Sequence, residues 1–396
     1  MTNKTPLEEK LIAEIANDGA ISVETLMGRC LGDPLHGYYM GKDPFGRGGD
    51  FITAPEVSQM FGEAIGVWLA TAWQMMGSPK KINLIELGPG RGTLMADMLR
   101  AVNVLPEFAE AIEVHMVDMS PALRKIQGET LKGVPVDVHW HQRFEQVPAG
   151  PCLLVANEFF DALAMRQIVR ADDGWHERMV ELDDSGELAF GVAEKLLANS
   201  EVPGWAKDAE VEAIAEISPQ RQSVAEQIGS HIAKHGGAAL IIDYGHALSF
   251  AGDTFQAVYK HKFVDCLHRP GQSDLTSHVD FEELAQGFEA GGAVVHGPRT
   301  QQAFLIAMGL RERQAVLKKK APARVRIMLS RQADRLVSDK QMGHLFKVIA
   351  VTDVSLGTPH PFGPTSGGPT SGEPTSGEPT SGGPLVGGPL VGQVHD

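Results

Sequence analysis

Short apolar runs recur along the chain and alternate with segments in which apolar residues have helical spacing. The runs cover residues 82–87, 112–117, 152–156 and 239–242, with a weaker candidate at 136–140 and a last run at 304–308. Such runs are typical of parallel strands that are buried on both faces of a sheet. The alternation predicts an α/β fold with an open, mostly parallel sheet, in which 304–308 is the final strand.

Helices are predicted before the sheet begins. Thr5 and Glu8 form a capping box with Pro6 at the first helical position, and Ser22 is placed to cap a second helix. Residues 59–76 again carry apolar side chains at helical spacing. We expect this longer helix to pack against the sheet.

Residues 32–56 are predicted to form a loop because glycine and proline are frequent there, yet they include four aromatic residues. Long loops inside compact domains often cover a binding site. We therefore expect a lid, the alternative being an aromatic-anchored surface loop. Tyr39 or Phe51 would line the channel of the substrate, together with Thr53 and Glu56.

The run at 82–87 ends in an acid and a glycine-rich turn. Glu86 precedes Gly88, Gly90 and Gly92, and a helical pattern follows at once. A strand, a glycine turn and a helix in this order bind nucleotides in open α/β sheets. The G-x-G-x-G spacing differs from the dinucleotide fingerprint, and an acid suits a cation better than a polyphosphate. S-adenosylmethionine fits this pattern, the alternative being a tight turn without a ligand.

Polar residues directly follow the other predicted strands. They are Asp118, Asn157, Glu158, Asp161 and Asp243, and the apolar Met119 comes directly after Asp118. Ligands of open α/β sheets bind outside the carboxyl ends of the strands, where an acid after the second strand can hold ribose hydroxyls. We therefore expect the crevice at this edge. The alternative is that Asp118, Asn157 and Glu158 only cap or complement the starts of helices.

Composition excludes several classes of protein. With 396 residues and a hydrophobic fraction of 43%, the chain can bury a large core. No apolar run approaches the roughly 20 residues that span a bilayer, so we expect no membrane insertion. The net charge of −15 repels nucleic-acid backbones, so neither DNA nor RNA is an expected partner.

Cysteine and histidine spacing gives no sign of a metal site. The three cysteines lie far apart, which argues against a disulfide framework or a zinc ribbon. His261, His268 and His278 have no tight ligand spacing. The first residues show neither a signal peptide nor an Arg/Ser-rich transit composition. These observations favour a bacterial cytoplasm.

The expected organisation has three parts. Residues 1–78 contain the N-terminal helices and the lid-like loop, and 79–351 form the sheet domain with insertions at about 167–215, which is β-rich, and 250–290. Residues 357–396 form a low-complexity tail, in which six consecutive five-residue units cover 364–393. Pro/Gly/Ser/Thr repeats cannot bury a core, so we expect a disordered tail.

Six ordered blocks resemble the MidA family of methyltransferases, which includes the mitochondrial complex I assembly factor 7 group. The resemblance covers residues 11–351. The blocks are HGYYM at 36–40, GDFITAPEVSQMFGE at 49–63, ELGPGRGTLM at 86–95, NEFFDAL at 157–163, IIDYG at 241–245 and DLTSHVDF at 274–281. The resemblance implies a Rossmann-like, seven-stranded, S-adenosylmethionine-dependent methyltransferase with N-terminal helices and insertions.

The resemblance also implies roles for particular residues. Those expected at the cofactor are Glu86, Gly88, Pro89, Gly90, Gly92, Asp118 and Met119. Asn157, Glu158 and Asp161 would face the methyl acceptor. The chain departs from the family pattern at Ala164 and Met165, where relatives usually have Pro-Val, and this apolar change is expected to affect packing only.

The resemblance implies a protein arginine as acceptor, giving symmetric dimethylarginine on a quinone-module subunit of respiratory NADH dehydrogenase during assembly. A guanidinium is a poor nucleophile, and paired carboxylates would hold it and aim one nitrogen at the methyl group. We expect Glu158 to be the main clamp, with Asp161 or Asp243. A small-molecule or RNA methyltransferase and a non-catalytic assembly factor are the alternatives. A homodimer is compatible with the sequence.

Overall fold

The computed structural model describes residues 4–41 and 53–363, and a mixed sheet crosses the middle of this part of the chain. Its seven principal strands, numbered in chain order, are β1 Ile82–Leu87, β2 Ile112–Val117, β3 Val138–His141, β4 Cys152–Asn157, β5 Gly237–His246, β6 Val294–Thr300 and β7 Phe346–Thr352. The predicted α/β architecture is confirmed.

The strands lie in the order β3-β2-β1-β4-β5-β7-β6. The first five positions are parallel, whereas β7 runs antiparallel to both β5 and β6. The short strand Val279–Asp280 adds a parallel pairing at the end of β5. Because β1 lies between β2 and β4, the carboxyl ends of these three strands meet at one edge of the sheet.

The prediction of a final strand at 304–308 is wrong. Residues 304–307 belong to the helix Gln301–Ala307, which ends at the C-cap Met308 and which Thr300 caps by accepting a hydrogen bond from the Ala303 amide. Phe304 and Leu305 are buried, so the run is apolar because it includes the buried face of a helix. A short apolar run does not distinguish a buried helix from a buried strand, and the strand that completes the sheet is β7.

Helices cover both faces of the sheet. One face carries Gln59–Met75, Thr93–Val102, Gln301–Ala307 and Ala323–Val337, and the other carries Pro219–His235 and Phe281–Ala290. Alternate residues of β1 contribute to the two cores, Leu84 to the first and Ile85 to the second. Burial on both faces explains why β1 is mostly apolar in the sequence, with Asn83 and Glu86 as its polar residues.

The N-terminal helices pack on a separate antiparallel sheet. Pro6–Asp18 starts at the predicted capping box, where the Glu8 amide donates to Thr5 Oγ1 over 3.0 Å. Val23–Gly32 starts at Ser22, as predicted. The sheet that they cover contains Ile21–Ser22, Gly174–Leu182, Arg166–Ala171, Ile214–Ile217 and Leu188–Leu196. It contains the strands predicted in the first insertion.

A small sheet lies within the segment predicted as the second insertion, at about 250–290. Its strands are Gln256–Tyr259, Lys262–Val264 and Asp274–Thr276. The remaining helices are Tyr38–Gly41, Ala54–Val57, Pro106–Ala111, Pro121–Thr130, Leu310–Lys319 and Met342–Leu345, with 3-10 turns at Phe144–Gln146 and Gly204–Ala206. In the described part of the chain, no helix has the length and apolar character needed to cross a bilayer.

The chain is still packed where the predicted tail should have begun. Pro359 and Pro361 are buried, and the Phe362 ring lies 6.1 Å from the Phe304 ring. This aromatic contact anchors the segment after β7 to the core. The repeats from 364 onwards lie outside the described residues.

Candidate active site

A cavity of about 1660 Å³ lies at the carboxyl ends of β1, β2 and β4. Sites for single small ligands usually have about 300 to 1000 Å³, so this cavity can hold a cofactor and part of a second molecule. The predicted residues that line it are Tyr39, Thr53, Gly88, Gly90, Asp118, Met119, Glu158 and Asp161. The crevice therefore lies at the predicted edge of the sheet.

Six of the predicted site residues that the structure describes do not line this cavity. They are Glu56, Glu86, Pro89, Gly92, Asn157 and Asp243, none of which is among its lining residues. Phe51 lies outside the described residues, as do the other residues of 42–52 in the lid-like loop. Several of these six residues nevertheless hold the lining residues in position, as their contacts show.

The glycine loop after β1 needs glycine for its backbone conformation. Gly88 and Gly90 have φ of 60° and 51°, and Gly92, at 81°, precedes the helix Thr93–Val102. Such angles favour glycine because it lacks a Cβ. A Cβ on Gly88 would also lie 3.0 Å from the Phe159 ring. The loop therefore keeps its backbone open to the cavity.

Glu86 is buried beneath this loop. Burial, with the neighbouring Asp118 as a second cause, raises the pKa of Glu86 well above its usual range, and a hydrogen bond with the Met95 backbone opposes the shift. Its Oε2 has no hydrogen-bond donor among the described residues. The side chain is 2% exposed, so it lies deeper than a direct ligand of the cavity.

Asp118 lies at the end of β2 and is held by two donors. The Ser120 amide donates to Oδ1 over 2.8 Å, and Gln127 Nε2 donates to Oδ2 over 2.8 Å. Burial raises the pKa of Asp118. The adjacent Met119 is 56% exposed and also lines the cavity. This pair presents a carboxyl group and an apolar surface side by side.

Glu158 follows β4 with φ of 50°, an uncommon angle for a residue with a side chain. Its Oε1 accepts hydrogen bonds from the Ala54 amide over 3.1 Å and from Asn157 Nδ2 over 3.2 Å. Burial first, and then the charge of Asp161, raise the pKa of Glu158 to about 7. The strained backbone thus directs into the cavity a carboxyl group whose pKa is near neutrality.

Asp161 provides a second carboxyl group nearby. Tyr244 donates its hydroxyl to Asp161 Oδ2 over 2.5 Å, whereas Asp161 Oδ1 and Asn157 Oδ1 are buried without a donor among the described residues. Burial raises the pKa of Asp161, against the hydrogen bond from Tyr244 and the charge of Arg221. The end of β4 and the turn after it thus contain buried oxygens that can accept hydrogen bonds from a ligand.

Asp243 supports this turn from below. Its Oδ2 accepts hydrogen bonds from the amides of Phe159, Phe160 and Asp161 over 3.0 to 3.2 Å. Asp243 is fully buried and its Oδ1 accepts from the Tyr244 amide. The geometry therefore gives Asp243 a positioning contact with the turn rather than access to a ligand.

Two further predicted channel residues take part in local contacts. Tyr39 lines the cavity and donates its hydroxyl to Asp274 Oδ1 over 3.0 Å. Burial raises the pKa of Tyr39 well above its usual range, so the hydroxyl stays a neutral donor. Glu56 accepts a hydrogen bond from Thr93 Oγ1 over 2.6 Å, which ties the short helix Ala54–Val57 to the helix after the glycine loop.

Sequence patterns did not indicate three residues of the site. Gln127 bridges the glycine loop and Asp118, and Arg335 lines the cavity from the helix Ala323–Val337. The buried guanidinium of Arg221 donates to the backbone carbonyls of Phe160 and His278. Each acts across a long separation in sequence, so no local motif marks it.

The donor and acceptor pattern fits a cationic cofactor. Buried oxygens of Glu86, Asn157 and Asp161 find no donor in the described structure, and a buried acceptor without a partner is costly. An ammonium or guanidinium would supply the missing N–H groups. Among residues 4–41 and 53–363, no cluster of histidine, cysteine and acidic side chains could hold a metal ion.

Known proteins are similar to this chain in sequence and fold. A family model described as an S-adenosyl-L-methionine-dependent methyltransferase matches residues 64–299. The protein arginine methyltransferase NDUFAF7, mitochondrial, of Danio rerio is 36% identical over 378 residues, covering 89% of this chain and 88% of the relative. The Homo sapiens protein of the same name is 36% identical, with 88% and 83% covered.

A solved structure is similar over most of the chain. The crystal structure of a protein from Burkholderia thailandensis bound to S-adenosyl-homocysteine has a TM-score of 0.78 and 30% identity. The match covers 87% of this chain and 91% of that protein. S-adenosyl-homocysteine is the demethylated form of S-adenosylmethionine, and the predicted cofactor is confirmed.

The predicted bacterial cytoplasmic location is wrong. The relatives from Danio rerio and Homo sapiens are both named as mitochondrial proteins. The prediction rested on the composition of the first residues, which carries no information about the sheet and cavity that these proteins share. The chain is an S-adenosylmethionine-dependent methyltransferase, and it belongs to the family of the protein arginine methyltransferase NDUFAF7.

Proposed function

We propose that this chain methylates arginine in a protein substrate, forming symmetric dimethylarginine on a quinone-module subunit of respiratory NADH dehydrogenase during its assembly. The names of the relatives support an arginine acceptor. The observation that carries the proposal is the carboxyl group of Glu158, which lines the cavity beside Asp161 and close to the glycine loop. Carboxylates are the natural partners of a guanidinium.

The cofactor would occupy the part of the cavity next to β1 and β2. Gly88, Pro89, Gly90 and Gly92 form the loop that would surround its methionine end, with Glu86 as a buried acceptor behind them. Asp118 would accept from the ribose hydroxyls, and Met119 would contact the base. When bound, S-adenosylmethionine supplies an electrophilic methyl group on its sulfonium.

Glu158 would hold the acceptor guanidinium. Both of its hydrogen bonds within the described structure go to Oε1, so Oε2 is the atom available to a substrate. A guanidinium keeps its proton at neutral pH and is weakly nucleophilic. An adjacent carboxylate orients one nitrogen and stabilises positive charge in a site from which water is excluded. With a pKa near neutrality, Oε2 can also take the proton that the methylated nitrogen releases.

Neighbouring groups would complete the acceptor site. Asn157 Oδ1 and Asp161 Oδ1 are buried acceptors without donors in the described structure, and they would receive further N–H groups of the guanidinium. Asp243 would act by positioning the turn. Tyr39 and Thr53 would line the channel through which the arginine enters. Glu56 would fix the channel wall, and Phe51 stays a prediction.

The test compares Glu158→Gln with the parent protein. We expect the variant to bind S-adenosylmethionine like the parent in calorimetry and to lose about 100-fold to 1000-fold in the rate of arginine methylation, the usual cost of losing one electrostatic contact to a reacting group. Mass spectrometry of the co-expressed quinone-module subunit would measure the rate. Glu145→Gln changes an exposed acid in the cavity wall and should retain activity.

Two outcomes would contradict the proposal in different ways. Unchanged methylation by Glu158→Gln would remove the clamp. A parent protein that binds S-adenosylmethionine but forms no methylarginine on the subunit would remove the acceptor, and would favour a small-molecule methyltransferase or a non-catalytic assembly factor. The homodimer also stays a prediction, which sedimentation equilibrium of the parent protein would test.

A further inference from the structure

Residues 318–331 form a basic segment in an otherwise acidic chain. The segment contains six cations and no acid, whereas the whole chain has a net charge of −15. The cations are Lys318, Lys319, Lys320, Arg324, Arg326 and Arg331. We call residues 318–331 the basic-apolar patch, because apolar side chains lie between these cations.

The apolar side chains of the patch face outwards. All residues from 322 to 328 are exposed, and Ile327 and Met328 are 57% and 48% exposed. Arg324, Ile327, Met328 and Arg331 have the spacing of one helix face. The opposite face of the same helix, Ala323–Val337, buries its apolar residues in the core. Apolar side chains therefore lie on both sides of the helix, and only one of these sides packs against the core.

The cations of the patch have no protein partners in the described structure. None of the six forms a salt bridge with a carboxylate of residues 4–41 or 53–363, whereas Arg311 nearby pairs with Asp334 over 3.0 Å and Arg313 with Glu63 over 2.8 Å. Charges that are not used within the fold remain available to an external anion. The patch thus combines free positive charge with exposed apolar area.

We propose that the basic-apolar patch binds the surface of an anionic lipid bilayer. Arginine and lysine attract anionic headgroups, and interleaved apolar side chains enter the boundary between headgroups and acyl chains. Seven consecutive exposed residues, 322–328, make a projecting surface rather than a groove for a peptide. The segment contains no aromatic residue on which nucleic-acid bases could stack. A fluid lipid surface fits this combination better than an acidic protein or RNA.

The patch is connected to the cavity through one helix. Arg324 stands near the start of Ala323–Val337, and Arg335, near its end, lines the cavity. At 1.5 Å per residue these positions are about 16 Å apart along the axis. Docking through the patch would therefore hold the cavity close to the bilayer, where a membrane-associated substrate is reached without release into solution.

Flotation of the full-length protein with lipid vesicles tests this proposal without any methyl transfer. The vesicles are phosphatidylcholine alone or phosphatidylcholine with about 30% phosphatidylglycerol. We expect binding to the anionic vesicles only, decreasing as salt rises from about 0.05 to about 0.5 M. Reversal of three charges in R324E/R326E/R331E should lower the partition coefficient at least about a hundredfold.

Matched variants separate the patch from general charge effects. K195E/K207E/K234E reverses three exposed lysines elsewhere and should bind vesicles like the parent. I327S/M328S keeps the charges and should weaken binding without removing its salt dependence. Calorimetry with S-adenosylmethionine would verify that each variant is folded.

Three results would overturn the proposal. The first is a parent protein that does not float with anionic vesicles at low salt. The second is an equal loss in the two charge-reversal variants, which would indicate general electrostatics. The third is soluble polyglutamate or RNA that competes with the vesicles at equal charge concentration while I327S/M328S binds vesicles normally, which would assign the patch to an acidic macromolecule.

Discussion

Gln127 donates a hydrogen bond to Asp118 Oδ2 over 2.8 Å. The same nitrogen donates to the carbonyl of Gly90 over 2.9 Å, and Trp140 Nε1 donates to the other end of the amide over 3.0 Å. One glutamine of the helix Pro121–Thr130 thus connects the glycine loop after β1 to the acid after β2. The two parts of the cavity wall keep a fixed separation because of it.

Gln127→Ala should weaken binding of S-adenosylmethionine about tenfold. Loss of hydrogen bonds to a carboxylate and to the loop costs about 1.5 kcal/mol. Without them, Asp118 and the glycine loop are no longer held in the position that the ligand requires. Titration calorimetry measures the change. Gln74→Ala, at an exposed position, should bind like the parent, and equal affinities for the parent and Gln127→Ala would show that the bridge is unimportant.

Gly90→Val should abolish binding of S-adenosylmethionine. A β-branched residue at φ of 51° is strained, and its side chain would enter the space beside the loop. Gly77→Val is the matched control, because Gly77 has φ of 80° and no atom within 4 Å of an added Cβ. Both variants should lose similar stability in urea unfolding. Loss of binding in both would mean that strain alone is responsible.

The rate of methylation should increase with pH through neutrality. Glu158 has a pKa raised to about 7, and only its deprotonated form attracts a guanidinium, so kcat/KM should fall tenfold per pH unit below about 7 and level off above it. The profile of the Glu145→Gln variant should be the same, and the residual rate of Glu158→Gln should be flat. A flat profile for the parent from about pH 6 to 8 would contradict this role.

Asp243→Ala should destabilise the protein by about 3 kcal/mol or more. Three backbone amides that donate to Asp243 Oδ2 would be buried without an acceptor, and each such loss costs about 1 to 3 kcal/mol. Asp243→Asn keeps an accepting oxygen and should lose less. Urea unfolding measures both, with the exposed Asp184→Ala as control. A stable Asp243→Ala that lacks only methylation would instead make Asp243 a ligand of the substrate.

Local sequence patterns predict the parts of the fold that depend on burial and helix ends. β1 and β2 match the predicted residues 82–87 and 112–117 at both ends, because strands buried on both faces are mostly apolar between their turns. The predicted helix starts at Thr5 and Ser22 depend on equally local contacts, since a capping side chain bonds to backbone amides within three residues. The prediction for the run at 304–308 is wrong although Thr300 caps its helix, because a short apolar run by itself fits a buried strand equally well.

The site is less predictable because its contacts join residues that are far apart in the sequence. The strand-end acids share one edge, yet which of them faces the cavity depends on the turn after each strand. Glu158 faces it through an unusual φ of 50°, while Asp243, an acid of the same type in a similar position, is directed under the turn. Gln127 and Arg221 join segments 37 and 61 residues apart, and no local pattern encodes such pairs.

The position of β7 constrains how the protein is made. This strand comes last in the sequence, yet it lies inside the sheet, between β5 and β6. Until residues 346–352 have left the ribosome, β5 exposes an unpaired edge and β6 has no neighbour in the sheet. Unpaired edges invite pairing with other chains. The nascent chain therefore carries an unpaired β5 edge while residues 247–352 are synthesised, and a chaperone that covered this edge would limit pairing with other chains during that interval.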